Sequence, residues 1–173
     1  MESVKQIIRD IPDFPKEGII FKDITPLLAD ASAFGKTINT LQERYADKQI
    51  DKVVGVEARG FIFASALAYA LEVGTTMVRK PGKLPYNTYQ ETYSLEYGTD
   101  TIEIHQDAFQ PRESIVLIDD VLATGGTLGA TLSLIRNNFQ NVKIVEIAFL
   151  IELDFLNGRE KLKDTPIHSL IHY

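Results

Sequence analysis

Residues 115–127 leave this chain few ways to fold. Ile115-Val116-Leu117-Ile118 is a short apolar, β-branched run, the composition of a strand buried on both faces of a parallel sheet. Two carboxylates follow, Asp119 and Asp120, then the small-residue loop Ala123-Thr124-Gly125-Gly126-Thr127, then the helical spacing Leu128, Thr131, Leu132, Ile135. The loop therefore ends at a helix N-terminus, where unpaired backbone N–H groups and the positive end of the helix dipole favour an anion. Gly125 and Gly126 let the backbone come close, Thr124 and Thr127 add hydroxyl donors, and a phosphate monoester fits. Asp119 and Asp120 would repel that phosphate, but they can accept hydrogen bonds from neutral hydroxyls one sugar-length away, which suggests a ribose. A lone Gly-Gly-Thr after a strand is most often an ordinary turn; the joined strand, acid pair and loop is much more specific. Neither Gly-x-x-x-x-Gly-Lys-Ser/Thr nor a helix-opening Gly-x-Gly-x-x-Gly occurs, which excludes two better-known nucleotide loops.

The rest of the chain supplies a setting for that unit. At 173 residues, 45% of them hydrophobic, it is long enough for one domain with a substantial core and too short for two ordinary ones. A net charge of −6 argues against a protein whose main work is coating nucleic acid. Without cysteine there are no disulfides, thiolate catalysis or cysteine zinc sites, and a cytoplasmic location is expected. The longest apolar stretch, 61–71, falls well short of the roughly 20 residues that cross a bilayer, so no membrane partner is expected.

Helical and strand patterns alternate in an α/β organisation. Helices are expected near 3–10, with Ser3 and Gln6 as a capping box, and near 34–46, 60–72 and 127–138. Strands are expected near 52–56, 75–79, 115–119 and 142–151, with 91–97 and 100–105 as a hairpin. The polar segments 57–60, 79–83 and 119–127 each follow a strand, and in open parallel sheets ligands gather beyond the carboxyl ends of the strands. Three such loops on one edge make a cleft. The histidines are assigned no chemistry: His105 falls in an expected strand, and His168 and His172 lie in a tail without acidic or cysteine partners at metal spacing.

The segments Leu122-Ala123-Thr124-Gly125-Gly126-Thr127, Glu57-Ala58-Arg59-Gly60-Phe61, Val78-Arg79-Lys80-Pro81-Gly82-Lys83-Leu84-Pro85, Tyr93-Ser94-Leu95-Glu96-Tyr97-Gly98 and Gly18-Ile19-Ile20-Phe21-Lys22-Asp23-Ile24 span nearly the whole chain. Together they resemble the type I purine phosphoribosyltransferase family, and within it the members that act on adenine. The resemblance implies a single domain over residues 1–173: a central, mainly parallel sheet flanked by helices, a small hood from about 1–30 and the C-terminal segment, and a flexible lid hairpin at about 80–105. It implies purine salvage, with the 5-phosphoribosyl group passing from phosphoribosyl pyrophosphate to adenine to give AMP and pyrophosphate. Magnesium would be the cofactor, held mainly by the substrate rather than by protein ligands, and the assembly a homodimer.

Site roles follow from the same resemblance. Ala123, Thr124, Gly125, Gly126 and Thr127 would grip the 5'-phosphate, Asp119 and Asp120 the ribose hydroxyls. Ala58, Arg59, Arg79, Lys80 and Lys83 would face pyrophosphate. Glu96, carried by the lid, would be catalytic and handle a proton on the purine. Ile20, Phe21, Lys22 and Leu153 would form the adenine slot; the family often has arginine where Lys22 stands, and lysine keeps the charge but loses the planar fork. Two competing readings share the phosphate loop: a transferase for hypoxanthine, guanine or xanthine, and a non-catalytic regulator that senses phosphoribosyl pyrophosphate.

Overall fold

The computed structural model describes residues 1–94 and 98–173; Leu95, Glu96 and Tyr97, and with them the expected catalytic Glu96, lie outside the described residues. In chain order the helices are α1 Glu2–Lys5, α2 Thr25–Ala29, α3 Ala31–Tyr45, α4 Gly60–Leu71 and α5 Gly126–Asn138. The strands are β1 Arg9–Ile11, β2 Phe21–Asp23, β3 Lys52–Val56, β4 Gly74–Val78, β5 Thr88–Ser94, β6 Thr99–His105, β7 Ser114–Leu122, β8 Lys143–Glu152 and β9 Ile167–His172. Five strands form one parallel sheet in the order β4-β3-β7-β8-β9, while β1-β2 and β5-β6 are separate antiparallel pairs.

The apolar run of β7 is covered on both faces. Ile115 and Leu117 join Val54, Val56, Ile147 and Phe149 in the core beneath α5 and the β5-β6 hairpin, while Val116 and Ile118 join Val53, Ala148 and Leu150 beneath α3 and α4. Leu117 and Val116 have no exposed surface, and burying each such side chain contributes about 1.5–3 kcal/mol. With both faces packed, alternation vanishes and the strand reads as continuous apolar sequence. Among the described residues no helix is long and apolar enough to cross a membrane.

The N-terminus departs from expectation. The helix stops at Lys5, and residues 9–11 pair with 21–23 instead, with Arg9 opposite Asp23 and Asp10 opposite Lys22. Two ion pairs, Arg9 Nη2 to Asp23 Oδ2 at 2.6 Å and Lys22 Nζ to Asp10 Oδ1 at 2.7 Å, favour that pairing over further helix. The capping box does not form: Met1 is the N-cap residue, and Ser3 Oγ lies 3.0 Å from Lys36 Nζ. At the other end the presumed tail is a strand, β9, at the sheet edge. Its mixed pattern hides it in sequence, because Ser169 is buried only by donating to Glu152 at 2.5 Å.

Candidate functional site

At the carboxyl end of β7 the chain turns through Ala123 to Gly125 into α5. Gly125 precedes the helix in the left-handed region, at φ 75°, and no side chain caps it. The first-turn N–H groups of α5 therefore face a hollow of about 80 Å³ lined by Asp119, Val121 and residues 122–128, which suits one small anion. A second segment underpins this loop. A Cβ on Gly125 would come within 2.5 Å of the Gly158 carbonyl oxygen, and a Cβ on Gly158 would overlap the Ala123 carbonyl oxygen. The turn carrying Gly158 is clamped by Arg159, whose Nε and Nη2 donate to Glu152 Oε1 and Oε2 at 2.5 and 2.6 Å. Burial would raise the Glu152 pKa, but bonds from Arg159 and Ser169 outweigh it and hold the carboxyl below its ordinary value.

Both acids lie inside β7, which runs past the expected end at Asp119 because pairing with β8 continues to Leu122 opposite Glu152. Asp119 Oδ1 accepts the Asp120 N–H at 2.9 Å. Helix α4 starts directly against this point: a Cβ on Gly60 would lie 2.9 Å from Asp119 Oδ1 and 2.9 Å from the Ile118 carbonyl oxygen. Arg59 Nε is 2.8 Å from Asp120 Oδ2, yet that buried oxygen receives no aligned hydrogen bond. The contact is one of charge, and the carboxylate keeps accepting capacity. Burial, and for Asp119 the neighbouring Asp120 charge, pushes both carboxyls above the ordinary range; Arg59 opposes the rise.

Arg79, Lys80 and Lys83 converge on Glu57 at the end of β3. Arg79 Nε lies 3.2 Å from Glu57 Oε2, the Lys80 N–H donates to the same oxygen at 2.9 Å, and Lys83 Nζ bonds Glu57 Oε1. Burial would raise the Glu57 pKa, but the Lys83, Lys80 and Arg79 bonds dominate and lower it. Ala58 follows Glu57 across a cis peptide. Arg59 is not part of the basic group; its guanidinium carbon sits 5.0 Å from the Phe21 ring centroid, between that ring and Asp120.

A cleft of about 430 Å³ brings Ile20, Phe21, Lys22, Ala58, Arg59, Asp119, Asp120, Ala123 and Leu153 together. Its apolar wall and acid floor suit a flat ring linked to a polyol. Lys22 reaches it only in part, since its ammonium is spent on Asp10 and on the Tyr173 ring, whose centroid is 3.9 Å away. That lock also ties β2 to the C-terminal segment.

Several residues were not singled out from sequence. Glu57 was visible within its motif, but its hold on three later residues is a tertiary relationship. Gly158 and Arg159 lie more than thirty residues beyond the loop they support and carry no local signal. Tyr93 and Asp100 on the hairpin contact the first turn of α5 and the basic loop through Thr127 and Lys80. The assignment of no acidic partner to His172 is also corrected, since folding brings its Nδ1 to 2.9 Å from Asp154 Oδ1.

A family model described as the phosphoribosyl transferase domain matches residues 27–170. The adenine phosphoribosyltransferase of Syntrophotalea carbinolica is 57% identical over 173 residues, covering 100% of both chains. The crystal structure of adenine phosphoribosyltransferase from Thermoanaerobacter pseudethanolicus matches at TM-score 0.94 and 49% identity, covering 99% of each chain. That from Saccharomyces cerevisiae, complexed with an imino-altritol bisphosphate and adenine, matches at TM-score 0.91 and 39% identity over 98% of this chain and 97% of that one. The parallel sheet with its flanking helices is thus the type I phosphoribosyltransferase fold, and the chain belongs to the phosphoribosyltransferase family, among the adenine phosphoribosyltransferases.

Proposed function

We propose that this chain transfers the 5-phosphoribosyl group of phosphoribosyl pyrophosphate to N9 of adenine, giving AMP and pyrophosphate in purine salvage. The observation that carries the reading is convergence: the loops after β3, β4 and β7 meet at one sheet edge as a cation cluster, a buried acid pair and an uncapped helix N-terminus, beside an apolar slot. Those four features suit diphosphate, ribose, 5'-phosphate and base respectively. The yeast relative was solved with adenine and an imino-altritol bisphosphate, ligands of the same chemical kinds.

The first-turn N–H groups of α5, with Thr124 and Thr127, hold the 5'-phosphate. Asp119 and Asp120 accept the ribose hydroxyls, and their charge favours the oxocarbenium-like state as the anomeric carbon loses its diphosphate. Arg79, Lys80 and Lys83 neutralise the departing charge. Arg59 joins them by leaving Asp120 once the ribose hydroxyls have taken its place. Phe21 and Leu153 sandwich the purine, with Ile20 and the Lys22 main chain along its edge. Glu96, assigned by its motif, manages the purine proton.

Magnesium belongs to the reading as a cofactor carried on substrate oxygens. The loop that would meet the diphosphate bears cations, the carboxylates that touch it, Glu57 and Asp100, are already paired with those cations, and Asp119 and Asp120 line the neighbouring cleft with oxygen donors of a kind suited to a hard cation. When bound, it offsets charge on the leaving diphosphate.

We further propose one domain with the hood and lid bounds stated above, acting as a homodimer in the cytoplasm with its charged substrates. Ile62 and Tyr69, seven residues apart on α4, and Met77 on β4 are 41%, 87% and 45% exposed, and exposed apolar side chains of this kind are what pair copies of a chain. Chromatography of the products from labelled adenine, phosphoribosyl pyrophosphate and magnesium tests the reaction: labelled AMP supports it, and recovery of unchanged adenine refutes it.

A further inference from the structure

The Lys80 ammonium, one of the cations the proposed function gives to pyrophosphate, already holds an anion. Lys80 Nζ bonds Asp100 Oδ2, near the start of β6, and the Tyr93 hydroxyl of β5 donates to the same oxygen at 3.2 Å. That hydroxyl is also 3.1 Å from Thr127 Oγ1, in the first turn of α5. Asp100 Oδ1 accepts the Thr101 N–H at 2.8 Å, which fixes the carboxylate. One hairpin carboxylate therefore touches the basic loop directly and reaches the phosphate loop through a single hydroxyl.

This pair differs from the one beneath it. Glu57 holds Arg79, Lys83 and the Lys80 N–H from the end of a central strand, with its side chain 11% exposed. Asp100 meets Lys80 at the open side, where the two side chains are 29% and 38% exposed. An ion pair so placed contributes little to folding, whereas a carboxylate on a substrate-binding ammonium opposes any second anion directly. The Lys80 bond lowers the Asp100 pKa more than burial raises it, so the carboxylate stays charged at neutral pH.

We propose that Asp100 is an internal counter-ion that competes with the substrate diphosphate for Lys80. It neutralises the ammonium in the free protein, must be displaced when the diphosphate binds, and is a positioning residue that sets affinity at that end rather than the rate of bond breaking. Tyr93 returns the freed carboxylate to Lys80 after pyrophosphate leaves. The inference rests on the diphosphate reading of the basic loop.

Calorimetric titration of magnesium pyrophosphate into the full chain and its Asp100→Asn variant tests it, together with KM for phosphoribosyl pyrophosphate and kcat. The variant should bind pyrophosphate about three- to tenfold more tightly, KM should fall in parallel, and kcat should not rise, since uniform tightening does not speed chemistry. Against a Lys80→Ala background the same change should do nothing. Weaker or unchanged pyrophosphate binding by Asp100→Asn, at an unchanged melting temperature, overturns the proposal and makes Asp100 a prop for Lys80. If the unaltered chain binds no pyrophosphate, the diphosphate reading fails and this inference with it.

Discussion

Arg59 Nε stands 2.8 Å from Asp120 Oδ2 without donating a well-aligned hydrogen bond to it. The guanidinium thus offsets the charge of a buried acid pair without using up the hydrogen-bonding capacity of Asp120 Oδ2. Asp119 and Asp120 are held above the ordinary carboxylate range chiefly by burial. The folded state then binds protons more tightly than the unfolded state. The pair's stability contribution is present below the unfolded pKa and lost as pH rises through the raised folded value. Ionising the pair is therefore a burden on the fold.

Asp119→Asn should therefore raise the melting temperature of the ligand-free protein at pH 7, with a smaller gain at pH 4. The same variant should lose about 10- to 100-fold in kcat/KM, because a charged acceptor for the ribose is replaced by a neutral one. Thermal melts at both pH values and steady-state rates check this. In the parent protein the acid limb of kcat/KM should lie above the ordinary carboxylate pKa.

Glu57 organises the basic loop, so Glu57→Ala should scatter Arg79 and Lys83 and raise KM for phosphoribosyl pyrophosphate about tenfold, with a smaller change in the affinity for adenine. Its pKa is lowered in the fold, so the stability it contributes is present above its unfolded pKa and is lost as pH falls through the depressed value. Raising pH above neutrality should not weaken the loop. Rates and adenine titrations at pH 5 and 8 separate these effects.

Gly158→Ala would drive a methyl group into the Ala123 carbonyl. Backbone cannot yield there as a flexible side chain would, so the phosphate loop should shift. A misplacement on the order of 1 Å can cost about 100-fold, and kcat/KM for phosphoribosyl pyrophosphate should fall by about 10- to 100-fold. Inorganic phosphate binding, followed by calorimetry, should weaken alongside it.

Glu96→Gln should lower kcat by about 10²- to 10⁴-fold if the side chain exchanges a proton with the purine. A loss below about threefold with binding intact would remove it from the mechanism.

The β7-loop-α5 unit was legible because a strand packed on both faces must be apolar throughout, and an anion site at a helix start needs small residues. The central strands β3 and β8 announced themselves in the same way, whereas β4 is an edge strand exposed at Gly74, Thr75 and Met77 and carries no such apolar run. β9 did not, since an edge strand whose buried Ser169 is satisfied by Glu152 needs no apolar run. The continuation of β7 past Asp119 through Asp120 to Leu122 was missed because strand ends follow the neighbouring strand, here β8, as much as local composition. For Arg59 the sequence marks a cation beside the cleft, but only packing decides that it rests on Phe21 and Asp120 rather than with Arg79. Lys22 shows the same limit, its ammonium being drawn to Asp10 and Tyr173 by contacts that no local pattern encodes.

Pyrophosphate release from phosphoribosyl pyrophosphate and magnesium, with adenine, hypoxanthine, guanine or xanthine supplied singly, tests the central claim most directly. The account predicts release with adenine and little with the other three. Release with another base in preference would contradict the assignment of the Phe21 and Leu153 slot to adenine, and no release with any base would contradict catalysis itself and favour a sensor of the phosphoribosyl donor.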